Sequence, residues 1–310
     1  MSVIRRIHAA PGNLATYIQD ILPAYARVYG PEAARQYQAN APRDLSLTMA
    51  HPAIRCYAVV DGPDARALLF ARKSATRFLL SFFHELQAGY DSSESEALLR
   101  FVVADLARTE NIPIQSEYLA FSPSNLDETY RVLGFEQVGR ALQQCTLLPE
   151  ETAVHSGVRI APLGEKGESD GARVLTEAYA RHPEKRLFEE VTTLEAACTF
   201  IAQTQAGAFG NSPSAYHLGA WVNGACVGLA LGSEVVAGLG FVLHMAVLPE
   251  FQGQGIGRQL LSELKQGFRQ AGLERVALGV TNTNPARYLY ESAGFETVQP
   301  FPVYYRFPQA

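Results

Sequence analysis

The chain repeats itself at the scale of a domain, and that repeat limits its architecture more than any other feature. Tyr130-Arg131-Val132-Leu133-Gly134-Phe135-Glu136 is matched by Tyr290-Glu291-Ser292-Ala293-Gly294-Phe295-Glu296, with Tyr, Gly, Phe and Glu in register. At the same offset, Ser81-Phe82-Phe83-His84 falls over Phe241-Val242-Leu243-His244. Upstream, Tyr57-Ala58-Val59-Val60-Asp61-Gly62 parallels Ala220-Trp221-Val222-Asn223-Gly224. Each of these is an apolar run closed by an Asp-Gly or Asn-Gly pair, a strong hairpin signal. The stretches 3–8 and 158–163 both read as opening strands. So long a period describes a duplicated domain and not a stacked solenoid. Pro149, Glu150, Glu151 and Ser156 interrupt the apolar pattern within 148–157, which predicts one domain over 1–150 and a second over 155–310.

A length of 310 residues fits two domains. With 47% hydrophobic and 18% charged residues the chain is globular and not disordered. The 26 Lys and Arg against 31 Asp and Glu leave a net charge of -5, so no footprint for a nucleic-acid backbone is present and no nucleic-acid partner is expected. Cys56, Cys145, Cys198 and Cys226 lie far apart, with no C-x-x-C pair and no Cys/His cluster at metal spacing. They predict reduced thiols in a reducing compartment and no metal. The first residues lack the apolar core of a signal peptide. No apolar run reaches the ~18 residues of a membrane span, so a cytoplasmic protein is expected.

Each half reads as a strand, one or two helices, a three-stranded meander, a helix, a strand, a helix and a strand. In the second half the meander covers 216–222, 225–232 and 240–247. A helix over 255–270 follows, with Leu260, Leu261, Leu264 and Phe268 on one face and Gly272 at the position of a C-terminal cap. A strand over 275–280 leads to Asn284, which caps a short helix with Pro285 at its first position and Gly294 just past its end. Strands mixed with helices in this order make an α/β domain.

The sharpest local feature is Val247-Leu248-Pro249-Glu250-Phe251-Gln252-Gly253-Gln254-Gly255-Ile256-Gly257-Arg258, running from a strand into a helix. Alternate glycines permit a tight turn that aims several N–H groups at one point. The helix start adds unpaired N–H groups and the positive end of the dipole. Together they form an anion site sized for a diphosphate. No glycine stands three positions after Gly257 and no G-K-[ST] follows, which disfavours dinucleotide-binding and P-loop readings.

Gln252-x-x-Gly255-x-Gly257 after Met245-Ala246-Val247-x-Pro249 resembles motif A of the Gcn5-related N-acetyltransferases (GNAT), and Asn284-Pro285-Ala286-Arg287-x-Leu289-Tyr290-Glu291-x-x-Gly294-Phe295 resembles their motif B. The resemblance covers most of the second half and extends to the first half through Tyr130 and Gly134-Phe135. It implies two tandem GNAT-like domains, each a mixed, mostly antiparallel sheet flanked by helices, and an acetyltransferase using acetyl-CoA on a small-molecule or peptide amine. The pantetheine arm would pair with Met245, Ala246 and Val247. The pyrophosphate would be held by Gln252, Gly253, Gln254, Gly255, Ile256, Gly257 and Arg258, with Asn282, Asn284 and Arg287 as further contacts. Where the family places an asparagine seven positions before the tyrosine, this chain has Thr283.

Attack of an amine on a thioester requires a route for the amine proton, donors for the oxyanion and an acid for the thiolate. Tyr290 matches the acid, since a phenol of pKa ~10 is comparable in acidity to an alkyl thiol. A backbone N–H at Met245 or Val247 suits the oxyanion. For the base, His244 lies on the right strand, but simple alternation turns it away from Phe241 and Leu243. Glu234, His217, Tyr304 and Tyr305 are the other candidates. Where the glycine loop would recur, the first half reads Gly89-Tyr90-Asp91-Ser92-Ser93-Glu94-Ser95-Glu96, without its glycines and with carboxylates that repel phosphate. That half is expected to be a degenerate copy that does not bind CoA. Competing readings are an acyl-CoA-binding sensor without catalysis and a mycothiol-synthase-like enzyme, and either a monomer or a homodimer fits the sequence.

Overall fold

The computed structural model describes residues 2–86, 92–117, 125–149, 157–180, 182 and 184–308. The interrupting residues Glu150, Glu151 and Ser156 lie outside them, as do Gly89, Tyr90 and Asp91. The first half of the chain runs β1 (Val3–Ile7), α1 (Leu14–Tyr29), α2 (Pro31–Ala50), β2 (Ile54–Asp61), β3 (Asp64–Lys73), β4 (Phe78–Glu85), α3 (Ser92–Thr109), β5 (Ile114–Glu117), α4 (Asp127–Val132) and β6 (Glu136–Thr146). The second repeats that order with β7 (Arg159–Pro162), α5 (Gly164–Tyr179), α6 (Leu194–Gln205), β8 (His217–Val222), β9 (Ala225–Val236), β10 (Leu239–Val247), α7 (Ile256–Gln270), β11 (Arg275–Thr281), α8 (Ala286–Ser292) and β12 (Glu296–Arg306). Short 3₁₀ turns lie between α5 and α6, ahead of β8 and after β10.

Two compact units result, one of residues 1–140 with 300–310 and one of residues 141–299. In the first, β1 to β4 are antiparallel neighbours, β4 pairs with β5 in parallel, and Val303–Arg306 of β12 close the sheet antiparallel to β5. In the second, β7 to β10 are antiparallel, β10 pairs with β11 in parallel, and the later residues of β6 flank β11. Each is a mixed, mostly antiparallel sheet flanked by helices.

Strand alternation builds the layers. In β2, Tyr57 and Val59 join the core with Leu98, Leu99 and Val102 of α3, whereas Cys56, Ala58 and Val60 face Tyr17 and Ile18 of α1. Alternate side chains are buried on both faces, as expected for a sheet covered twice. In the second unit α7 lies against β8, β9 and β10, with Leu260, Leu261, Leu264 and Phe268 buried. Two strand glycines make that docking possible. A Cβ on Gly240 would stand 2.8 Å from Cγ of Phe268, and one on Gly232 would stand 2.6 Å from its Cζ. The missing side chains let the ring lie on the sheet backbone, fixing α7 across β9 and β10. Ala271 and Gly272 end the helix, the glycine at φ +85°.

Candidate functional site

The site begins where two parallel strands part. β10 and β11 are in register only from Leu239↔Arg275 to Val242↔Leu278. From Leu243 to Val247, β10 continues beside β9 alone. The far edge of those residues offers backbone N–H and C=O groups to an extended ligand, as an open sheet edge does.

A bulge at Leu243 re-aims this segment. Val242 opposes Gly232 and His244 opposes Leu231, which leaves Leu243 as the extra residue. Gly240 faces Phe268 of α7, and so does Gly232, the partner of Val242. After the bulge the parity reverses. His244 packs edge-on against Tyr179, Phe188 and Phe200, on the α5 and α6 side. Val247 turns toward the start of α7, with its Cγ2 3.9 Å from a Cβ built on Gly257. Simple alternation therefore does not hold across β10: the extra residue leaves Phe241 and His244 on the same face.

At the carboxyl end of β10 the chain makes a 3₁₀ turn over Pro249–Phe251 and enters α7 through Gly255, which sits at φ +80° as N-cap. Gly253 is also left-handed, at φ +74°. The Gln252 amide donates to the Val247 carbonyl at 2.9 Å and the Gln254 amide to the Glu250 carbonyl at 3.0 Å, so both side chains brace the turn. The Gln259 N–H closes the first helical hydrogen bond on the Gly255 carbonyl. The amides of Ile256, Gly257 and Arg258 come before it and have no intrahelical acceptor. No acidic residue occupies this first turn.

Helix α8 is held against α7. Arg258 Nη2 donates to Ser292 Oγ at 2.7 Å, and the buried Lys265 ammonium donates to the Ala293 carbonyl at 3.0 Å. Gly257 lets Leu289 approach, its Cδ2 lying 3.3 Å from where a Cβ would stand. Asn284 caps α8 by accepting from the Ala286 N–H at 2.9 Å. Arg287 lies against Glu291, and its Nη1 donates to the Asn282 carbonyl at 3.1 Å. These contacts place Tyr290, 8% exposed, on the inner side of α8. Burial pushes its phenol up to about 12. A phenol that weakly acidic retains its proton beside a thiolate and acts by donating a hydrogen bond.

The five candidates for the base fall in different places. His244 is buried, with Nε2 2.9 Å from the Glu190 carboxylate. Glu234 pairs with Gly240 near the start of β10, and its carboxylate accepts from the Gly238 N–H at 2.9 Å and from the Asn211 amide at 3.3 Å. His217 is buried against Ser212, whose hydroxyl donates to the Gly232 carbonyl at 2.6 Å; the 2.7 Å contact with Nε2 is therefore donated by the ring. Tyr304 and Tyr305 belong to the first unit. The 245–247 strand end leads into the 252–258 loop, and α8, which carries Tyr290, meets the start of α7 through Leu289 at Gly257 and Ser292 at Arg258. Glu184, which sequence reasoning missed, is buried in the segment between α5 and α6 and accepts from the Thr283 hydroxyl at 3.4 Å. A glutamate at the head of the charged run Glu184-Lys185-Arg186 gives no signal until its burial is seen.

The first unit treats the equivalent positions differently. Among the described residues β4 and β5 pair in parallel from Phe78↔Ile114 to Leu80↔Ser116. Glu94 occupies the first turn of α3 and accepts from Ser2 Oγ at 2.7 Å and Arg66 Nη1 at 2.9 Å. The Tyr130 hydroxyl meets Ser116 Oγ at 2.8 Å, and the Tyr304 ring stacks on the Tyr130 ring at 3.8 Å and 5°. The Tyr304 hydroxyl donates to Asp127.

Comparison with known proteins agrees with this geometry. Residues 175–295 match the model of the acetyltransferase (GNAT) family. The [ribosomal protein bS18]-alanine N-acetyltransferase of Haemophilus influenzae is 34% identical over 86 residues, which is 28% of this chain and 58% of that protein. The chain thus spans less than two thirds of that relative's length. A GCN5-related N-acetyltransferase from Sphaerobacter thermophilus shares the fold with a TM-score of 0.73 at 19% identity, over 100% of this chain and 96% of that one. A tandem GNAT protein from the clavulanic acid biosynthesis pathway aligns with a TM-score of 0.63 at 15% identity, over 100% and 99%. Among the described residues no helix is long and apolar enough to cross a membrane, and no group of His, Cys, Asp or Glu is arranged to hold a metal ion.

Proposed function

We propose, from the match of residues 175–295 to the acetyltransferase (GNAT) family model, that the second unit transfers an acetyl group from acetyl-CoA to a primary amine. The observation that carries this reading is the meeting, at one end of β10, of an open strand edge and a helix start with free amides and no carboxylate. Pantetheine amides would pair with the backbone of Met245 to Val247. The pyrophosphate would take the N–H groups of 252–258, braced by Gln252 and Gln254. An N–H of Met245 or Val247 would meet the oxyanion as the amine nitrogen bonds the acyl carbon and the C–S bond breaks. Tyr290 would donate to the departing sulfur, which ends with the proton that the nitrogen releases.

One acetyl-CoA per chain is expected. In the first unit Glu94 stands in the helix turn that would face phosphate, and Tyr304 covers the tyrosine matching Tyr290. The relative that acetylates an alanine of a ribosomal protein makes an alanine-initiated peptide the first acceptor to assay, beside small amines.

A thermal-shift titration with acetyl-CoA tests the cofactor, with free CoA and NADH as controls. Ligand at about 100 times its Kd stabilises the native state by ~2.7 kcal/mol, enough for a shift of several degrees. Gly255→Glu, which puts a carboxylate at a left-handed N-cap facing the anion, is expected to abolish the shift. No shift with the wild type at millimolar acetyl-CoA, or two equivalent sites by calorimetry, would overturn the corresponding part of the reading.

A further inference from the structure

Tyr290 is aimed by the helix that carries it. Its ring meets Phe295 at 5.9 Å, and among the described residues its hydroxyl makes no hydrogen bond. Helix α8 is short, spanning only Ala286–Ser292. Helices under about 12 residues are marginal on their own, so tertiary contacts decide where α8 sits. At its far end the chain turns through the left-handed Gly294, at φ +85°, and the carbonyls of the last turn need donors. No basic residue in that turn meets them. A donor comes instead from α7.

Lys265 is 4% exposed, and its Nζ donates to the Ala293 carbonyl at 3.0 Å. The N–H of Ala293 in turn donates to the Tyr290 carbonyl at 2.9 Å. A single residue thus joins the ammonium to the backbone of Tyr290. A cation suits the negative end of a helix, and burial protects that attraction from screening. Arg258, two turns earlier on the same side of α7, makes a parallel contact with Ser292, but from an exposed position where such bonds hold less.

Packing a helix on this sheet does not require the ammonium. Leu260, Leu261, Leu264, Lys265 and Phe268 are buried on α7, and Leu98, Leu99, Val102, Val103 and Leu106 are buried at the same spacing on α3. Val103 fills the place of Lys265. Burying a lysine is costlier than burying a valine, so the charge at this position answers to something other than the core.

We propose that Lys265 is a positioning residue for acetyl transfer: by holding the Ala293 carbonyl it fixes α8 along α7, and so sets where the Tyr290 hydroxyl meets the departing sulfur. The proposal rests on the acetyltransferase reading and on the role given there to Tyr290, through which alone Lys265 acts.

The test is a double-mutant cycle on kcat with Lys265→Met, Lys265→Arg and Tyr290→Phe. The readout is CoA release from acetyl-CoA, with an alanine-initiated hexapeptide amide and with water alone as acceptor. A displaced hydroxyl loses part of its contribution, so Lys265→Met is expected to lower kcat about 10-fold while leaving the acetyl-CoA thermal shift and the KM for acetyl-CoA unchanged. In the Tyr290→Phe background the same substitution is expected to change kcat by less than about twofold. Lys265→Arg keeps the charge but moves the donors, and its kcat should fall between wild type and Lys265→Met. A wild-type kcat for Lys265→Met would overturn the proposal. An equal loss with and without the Tyr290 hydroxyl would overturn it too, by making Lys265 a general brace of the fold. If Lys265→Met shows no cooperative melting transition, Lys265→Arg takes its place in the cycle, and an equal loss in both backgrounds overturns the proposal there. Wild type without CoA release, or Tyr290→Phe with the kcat of wild type, would instead sink the reading on which the proposal rests, and those two arms show it without any Lys265 variant.

Discussion

Gly240→Ala is a sharp test of how α7 is seated, because two arguments predict opposite signs. Replacing a strand glycine with alanine normally stabilises by about 0.4–1 kcal/mol, through the lower entropy of the unfolded chain. Here the new Cβ would stand 2.8 Å from Cγ of Phe268 and 2.9 Å from both Cδ atoms. Carbon atoms rest about 3.5–4.0 Å apart, so the ring would have to retreat by most of an ångström across its face. Phe268 is fully buried between α7 and the sheet, with the Tyr216 ring 4.4 Å away, so a close-packed core resists its retreat. Overpacking of this kind costs about 1–3 kcal/mol, leaving a net destabilisation of about 1–2 kcal/mol. For a unit of this size that lowers the melting temperature by about 5 °C. Differential scanning calorimetry with and without acetyl-CoA gives the readout, since on the proposed function the transition raised by ligand is that of the second unit. In a Phe268→Leu background the same substitution should cost little, so the double-mutant cycle should show strong coupling. Equal stabilisation by Gly240→Ala in both backgrounds would refute the steric argument.

Two further outcomes follow from the buried groups of the second unit. If Tyr290 donates to the leaving sulfur as proposed, Tyr290→Phe should lower kcat about 10- to 100-fold while leaving the acetyl-CoA thermal shift intact; because burial pushes the phenol up to about 12, the wild-type rate should show no alkaline loss from this group below pH 11. His217 has its pKa lowered by burial, so the folded state resists its protonation. The stability it lends is complete above the ordinary histidine pKa of about 6.5 and falls as pH drops through that value toward the lower folded one. His217→Asn should flatten stability against pH between 7 and 5 in urea titrations, and an unchanged slope would contradict the assignment.

The duplicated order of strands and helices was legible because it rests on local signals. Asn223-Gly224 does form a turn, with Asn223 at φ 49° and Gly224 at φ 83°, and Leu260, Leu261, Leu264 and Phe268 do line one buried face of α7. The glycine loop was legible for the same reason, since its turn and helix start are encoded within twelve consecutive residues. The bulge at Leu243 was not, because an extra residue in one strand is defined only against its partner, here the Leu231–Gly232 step of β9. The place of 300–310 in the first unit was hidden too. The residues of β12 look like the end of their own repeat, and only pairing of Val303 with Glu117 and Tyr304 with Ser116 reveals their sheet. Glu184 combines both difficulties, with a charge that predicts exposure and a burial imposed by distant elements.

What the two copies share and where they differ separate folding from chemistry. In the first unit His84 Nε2 lies 2.9 Å from Asp20 and the ring meets Tyr17 edge-on at 5.8 Å. In the second, His244 Nε2 lies 2.9 Å from Glu190 and the ring meets Tyr179 edge-on, again at 5.8 Å. A buried imidazole requires a polar partner in any copy of this fold, with or without a ligand, so a repeated Tyr–His–carboxylate set is what packing alone would retain. The left-handed Gly253 and Gly255 and the carboxylate-free first turn of α7 have no such requirement. A helix start is more stable with a side-chain cap and acidic residues, as Glu94 shows in α3. α7 starts with neither, from a glycine in a conformation that raises the entropy cost of folding. On the proposed function, a feature that weakens the fold locally, and is absent from the copy that stacks Tyr304 over Tyr130, is explained by the anion that would complete it.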